Sequence, residues 1–384
     1  MKTNQIVAIA MMAVAALTFS ACNTNEPENN NSGKVKGDDK QMVAICEDWI
    51  SSRQYWEWSE AFLFGPATTY SIDPHIDTWP FNETTFNNLL KKYHPATNEE
   101  DATVIIENIT FSQNLTGFHA LEYLIFRNGE ARKVADLTAD ELYFAQAVAV
   151  DLYLNSAKLV AAWGGELTQD EADILEDAEW EPERDYGAYF KSLTGTEAAK
   201  EIIEGARDII GEVAEMKIGA PYSGSDTKYI ESPHSYNSIQ DFYDNILSCQ
   251  YAIYGGLNAT APQEGSLIAF TNNVKGYADQ SKKVVDALSN ALAKIQAMKH
   301  PFVTYYSDAS AGEAIDALNV LDDELKALED LLNSAAGNET QESALAVTRD
   351  QFVNNTVIPT YSGLANACSA MGEALDGLEF DTTK

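Results

Sequence analysis

The sequence predicts an all-α protein: two helical-bundle halves packed around a central cleft. Three observations carry this reading. No proline falls between residues 96 and 181 or between 302 and 358, which leaves room for long helices. Apolar residues recur at helical spacing: Ala314, Leu318, Leu321, Leu325, Leu328 and Leu332 advance in alternating steps of four and three, with Asp322, Asp323, Lys326 and Glu329 on other faces. Period-two alternation of strand length is almost missing.

The first 21 residues read as a signal peptide outside the fold. Lys2 supplies a positive start, Ile6 to Phe19 is a 14-residue apolar run, and Ser20 and Ala21 precede Cys22. That arrangement resembles a bacterial lipobox with Cys22 as the lipidation site, although Phe19 stands where Leu is commoner. The protein is therefore expected to be exported and lipid-anchored to the cell envelope, at the outer membrane, with no spanning helix. Residues 22–40 read as a tether. Asn23 to Lys40 contains one apolar residue, Val35, and as flexible coil would average about 25 Å end to end.

The helices then read as 41–64, 83–93, 98–109, 115–127, 138–163, 196–217, 238–255, 264–298, 310–334, 342–356 and 359–376. The first stripe begins at Met42. The 138–163 helix opens on a Thr138-x-x-Glu141 capping box and continues with Leu142, Ala145, Ala149 and Leu152. Ser238, with Asp241 three residues on, caps the 238–255 helix. Val285, Leu288, Leu292 and Ile295 repeat the helical rhythm. The breaker-rich stretch Lys217 to Tyr236 divides a first bundle, 41–216, from a second, 237–380. Helices ending in FLFG near Gly65 and AIYGG near Gly256 echo one another and hint at duplication.

Composition excludes some functions. The formal charge is −34, and removing the signal with Lys2 takes it to −35. Such a body repels nucleic acid and favours cations. Beyond Cys22 there are Cys46, Cys249 and Cys368, with no C-x-x-C spacing, so cysteine metal sites and redox motifs are not expected. One disulfide is open, but three buried thiols are preferred. The acidic run Asp170 to Asp185 reads as a solvated connection.

The chemistry concentrates in GFHALEYL, Gly117 to Leu124. His119 and Glu122 share one helical face and can aim at one point. Imidazole and carboxylate both suit zinc or iron. A core histidine bonded to its neighbour would look the same in sequence. The di-iron Glu-x-x-His device is reversed here and occurs once, so a single metal ion, iron or zinc, is the most expected. Zinc-peptidase signatures are incomplete: there is no H-E-x-x-H, and H-x-x-E-H would need histidine where Tyr123 stands. ESPHSYNS, Glu231 to Ser238, clusters Ser232, His234 and Ser235 but offers no G-x-S-x-G elbow. YWEWSEAFLFG, Tyr55 to Gly65, puts Glu57, Glu60 and Phe64 on one helical face. A tight site needs ligands from distant segments, and Glu60 and Glu231 are the expected donors.

GFHALEYL resembles the G-x-H-x-x-E motif of the imelysin family. SEAFLFGP at 59–66 is similar to that family's first-helix motif, and TWPFNE at 78–83 to its Trp-Pro segment. GEVAEMKIGAP followed by ESPHSYNSIQDFYDNI is similar to its central Glu-rich helix and Glu-Ser/Ser loop. The resemblance covers about residues 41 to 376. It implies two helical bundles with a cleft, a cell-envelope location and a link to iron uptake, with iron-transport proteins as partners. It places Gly117, His119 and Glu122 at the cleft, with Glu60, Glu212, Glu231, Ser232 and Ser235 as further positions. Some members are named as insulin-cleaving metallopeptidases, in which case His119 and Glu122 would be catalytic. The leading reading is a non-catalytic metal- or iron-related binding or uptake component, the metallopeptidase is the second, and a peptide or small-molecule binder without metal is the third.

Overall fold

The computed structural model describes residues 33–112 and 115–381, so the signal segment and Cys22 lie outside the described residues. The fold is all-α. Among the described residues, the helices that frame the site and the core are α1 (Asp39–Glu57), α2 (Gly117–Ile125), α3 (Ala139–Ala162), α4 (Gly195–Glu212), α5 (Ser238–Tyr254), α6 (Ala278–Gln296), α7 (Ala309–Ser334), α8 (Glu339–Gln351) and α9 (Ile358–Asp376). Among the described residues, sheet is confined to two ribbons: β1 (Lys34–Lys36) with β4 (Glu379–Asp381), and β2 (Phe126–Arg127) with β3 (Glu130–Ala131). No helix among the described residues is long and apolar enough to cross a membrane.

Two groups of helices form, but their border differs from the one read in sequence. The first group is α1, α2, α3 and α9, with α9 packed along both α1 and α3. The second is α4 to α8, with α4 against α7 and α8, and α6 against α7. Helix 195–212, assigned by sequence to the first half, therefore belongs to the second group, and the last helix returns to the first. The physical reason lies at Phe352–Val357. This π-helical turn joins α8 to α9 without a break, so one continuous helix runs from the second group into the first. Pro359 directly follows the π turn, where the regular hydrogen-bond ladder is already interrupted, and the helix runs on through it. An apolar stripe shows that a helix is buried, not which bundle buries it.

The core is correspondingly continuous across both groups, with a small satellite formed by Leu154, Ala157, Leu175 and Ala178. The satellite lies under a helix, Gln169–Asp177, within the run read as a solvated connection. A Thr168–Glu171 capping box starts that helix. Cys46, Cys249 and Cys368 are free and buried.

Three other boundaries move. The tether gives way to fold at its end: Val35 packs on the core, opposite Phe380, and the Ala139 N–H donates to the Gly33 carbonyl at 2.8 Å. The 41–64 helix stops at Glu57 and continues as a separate tight turn, Glu60–Phe62. The 264–298 helix divides into Leu267–Asn272 and α6, with Gly276 at φ 105° between them.

Candidate functional site

Gly117 sets the site's geometry. It starts α2 at φ 80°, and a Cβ there would lie 2.3 Å from the Ile76 carbonyl oxygen. Only glycine lets α2 begin hard against the short helical turn Asp73–Ile76. That turn hands the chain to Asp77, and the close approach brings Asp77 Oδ1 to 2.8 Å from His119 Nε2. The contact is an ion pair, but neither atom has a well-aligned hydrogen bond. Every residue of α2 except Tyr123 is buried, which matches a helix that is apolar on nearly all sides.

His119 belongs to a buried cage of charges. Arg53, from α1, is fully buried and pairs with Glu57, with Asp77 Oδ2 at 2.9 Å and with Glu231 Oε1 at 2.7 Å. Lys217 is buried opposite, 3.2 Å from Glu231 Oε1 and 3.9 Å from Glu57 Oε2. Asn245 holds Glu57, and Trp56 Nε1 donates to Asp77 Oδ2 at 2.9 Å. Glu231 Oε1 also lies 4.0 Å from His119 Nε2, while its Oε2 is buried without a hydrogen bond. Burial of this kind demands paired charges. Among the described residues, the buried carboxyl groups of Glu57, Glu60, Asp77, Glu122, Glu231 and Asp241 outnumber the buried cationic side chains beside them, Arg53, Lys217 and His119.

Protonation follows from that imbalance. Burial alone would hold His119 neutral, but Asp77 outweighs it and lifts the imidazole to about 9. Burial would raise Asp77, but Arg53 and His119 hold it well below the usual carboxylate range. Glu57 and Glu60 go the other way: burial pushes both well above their ordinary value. It also lifts Asp73 and Asp241 to about 7.

Glu122 has a different task. Its Oε1 accepts three hydrogen bonds, from the His234 N–H at 2.8 Å, the Ser235 N–H at 2.7 Å and the Ser235 hydroxyl at 2.8 Å. Its other oxygen is 3.9 Å from His119 Nδ1. Burial would raise this carboxyl, but His119 and the loop donors hold it below its ordinary value. Glu122 therefore fastens the 231–236 loop over α2. Ser232, in that loop, is buried and held at φ 44°, a strained conformation for a residue with a side chain.

The structure thus places His119, Glu122, Glu231, Ser232 and Ser235 together. Glu60 joins through a neighbouring group, Glu57, Glu60 and Asp77, whose ligand atoms lie within 4.8 Å of one another. Glu212 stands at the margin, 45% exposed and 3.8 Å from the Lys217 ammonium. Sequence reasoning missed Arg53, Asp77, Lys217 and Asp241. Asp77 had a signal, since it directly precedes the TWPFNE segment. The others lie on helices whose periodicity gives no hint of a buried charge.

Access to the cage is by a cavity of about 780 Å³ that reaches His119 and Glu122. Its walls come from residues 79–85, from 227–234 and from Val303. A second space, about 580 Å³, adjoins it across Trp79 and Pro80 and reaches Asp73 and Asp77. One oxygen each from Asp77 and Glu231 and one His119 nitrogen lie within 4.8 Å of one another. Those atoms, with the unpartnered Glu231 oxygen, fit the donor set of iron or zinc.

Fold and site together define an all-α protein with a histidine and several carboxylates buried beside a cavity. The family model of imelysin matches residues 28–332, and the chain belongs to the imelysin family. It is 27% identical over 234 residues to iron-regulated protein A of Synechococcus elongatus, a match covering 59% of this chain and 56% of the relative. The chain thus spans just over half the length of that relative. Among solved structures it resembles an iron-regulated protein A precursor from Parabacteroides distasonis, with a TM-score of 0.59 and 21% identity over 86% of this chain and 95% of that one. It also resembles an imelysin peptidase from Bacteroides ovatus, with a TM-score of 0.50 and 25% identity over 60% of this chain and 65% of that one.

Proposed function

We propose that this protein is a non-catalytic metal-binding component of iron handling at the cell envelope, held there by a lipid on Cys22. Asp77, His119 and Glu231 are its metal ligands, and His119, an imidazolium without metal, would give up its Nε2 proton on binding. The observation that carries this reading is the convergence of their three donor atoms within 4.8 Å, in a cage with more carboxylates than cations. The relative named for regulation by iron supports iron over other metals. When bound, the ion would replace the protons that burial keeps on Glu57 and Glu60. His119 and the carboxylates would orient it, and the 231–236 loop, fastened by Glu122, would screen it from water.

The peptidase alternative asks Glu122 to act as a general base. Its Oε1 already accepts three hydrogen bonds and its affinity for a proton is lowered, both of which oppose that role.

Calorimetric titration of the chelator-treated protein with Fe²⁺ under argon, and with Zn²⁺, tests the reading. One saturable site is expected, weakened at least about tenfold in His119→Ala and in Glu231→Gln. Absence of saturable binding, or equal affinity in all three proteins, would overturn it. Cleavage of a denatured protein substrate that disappears in His119→Ala would favour the peptidase instead.

A further inference from the structure

The cage already contains a cation at the place a metal ion would compete for. Lys217 closes a π-helical turn, Val213–Lys217, at the end of α4. Such turns are rare and concentrate at functional sites. Its ammonium donates to Asn245 Oδ1 at 3.2 Å and shares Glu231 Oε1 with Arg53. That same oxygen is the one facing His119 Nε2. Arg53 is locked on several sides, but Lys217 has somewhere to go. Glu212, one residue before the π turn, presents its carboxylate 3.8 Å from the ammonium and is 45% exposed. A lysine stem is long and flexible enough to make that swing.

Glu60 gives the second observation. Its carboxyl is 8% exposed and makes no hydrogen bond or ion pair with any described residue. It lies in the group with Glu57 and Asp77, and Lys217 is the cation that chiefly offsets its charge. A largely buried carboxyl without a fixed partner is open to pairing with a cation that enters the cage.

We infer that Lys217 is a resident counter-ion, which an incoming metal ion displaces from Glu231 and Glu57 toward Glu212. The inference rests on the proposed metal-binding reading and gives it a mechanism of reversible loading. In the metal-free protein the ammonium keeps the carboxylates in place and apart. In the loaded protein the metal ion would be a third cation on Glu231 beside Arg53 and Lys217, and the repulsion at this burial expels the more mobile resident. The internal competitor lowers metal affinity, which suits a protein that must release its ion.

The test uses Fe²⁺ under argon and Zn²⁺ as probes. Lys217→Met keeps most of the side-chain length, one atom short of lysine, and removes the charge, and should bind each ion at least about tenfold more tightly than the native chain. Glu212→Gln should weaken binding by about threefold in the native background and change nothing in the Lys217→Met background. A direct metal ligand would lose affinity in both. Amine acylation read by mass spectrometry provides a measurement on the unaltered protein: Lys217 should be protected without metal and reactive with it. If Lys217→Met does not fold, that measurement decides. Metal binding by the native chain with Lys217 still protected, or with a folded Lys217→Met binding no tighter, overturns this inference alone. No binding by the native chain overturns the metal-binding reading and this inference with it.

Discussion

Arg53→Met should be among the most damaging single substitutions in this protein. The guanidinium is fully buried and touches Glu57, Asp77 and Glu231. Methionine fills much of the same space but leaves those three carboxylates to Lys217 and His119. Removing one partner of a buried ionic network costs about 3–5 kcal/mol. That is a large part of the roughly 5–15 kcal/mol that holds a typical domain folded. The loss should depend on pH, and its sign follows from linkage. Arg53 opposes protonation of Glu57 and Asp77, so without it both carboxyls take up protons more readily in the fold. A group whose folded pKa is raised contributes stability below its unfolded pKa and loses it as pH rises through the folded one. The deficit should therefore be wider at pH 8 than at pH 5. Urea unfolding of both proteins, followed by circular dichroism at the two pH values, measures it. A deficit under about 1 kcal/mol, or one of equal size at both pH values with unchanged m, would refute the reasoning.

Three further outcomes are expected. Gly117→Ala should cost more than about 2 kcal/mol, because it combines left-handed strain with a Cβ placed 2.3 Å from a backbone oxygen; an unchanged urea midpoint would contradict this. Asp77→Asn should drop the His119 titration, followed by NMR in metal-free protein, from about 9 toward its ordinary value, since burial then loses its main opponent and Glu122 remains; an unmoved midpoint would show that Asp77 does not hold the imidazolium. Deleting residues through Lys36 removes β1 and the packing of Val35, and should lower stability by about 1 kcal/mol; if the midpoint does not move, the strand is idle.

What the sequence determined by itself is the local order of this protein. Helix identity follows from side chains that recur every three or four residues, as in α7, where Leu318, Leu321, Leu325, Leu328 and Leu332 are all buried. The capping box of α3 formed where Thr138 and Glu141 place it. His119 and Glu122 were legible because both lie within one turn and their spacing alone sets their common face. Of their partners only Glu231 was expected. Arg53, Asp77 and Lys217 come from three other segments, and their spacing does not set them apart from solvated charges. The roles within the motif were also undecided: only the fold shows that Glu122 fastens a loop while Asp77 takes the histidine. The bundle border moved for the same reason, since α8 and α9 are one helix shared between two groups. Short-range periodicity decides which face of a helix is apolar. Which elements meet across that face, and which buried charges must then neutralise one another, depends on contacts between residues far apart in the chain, and only the tertiary structure decided those.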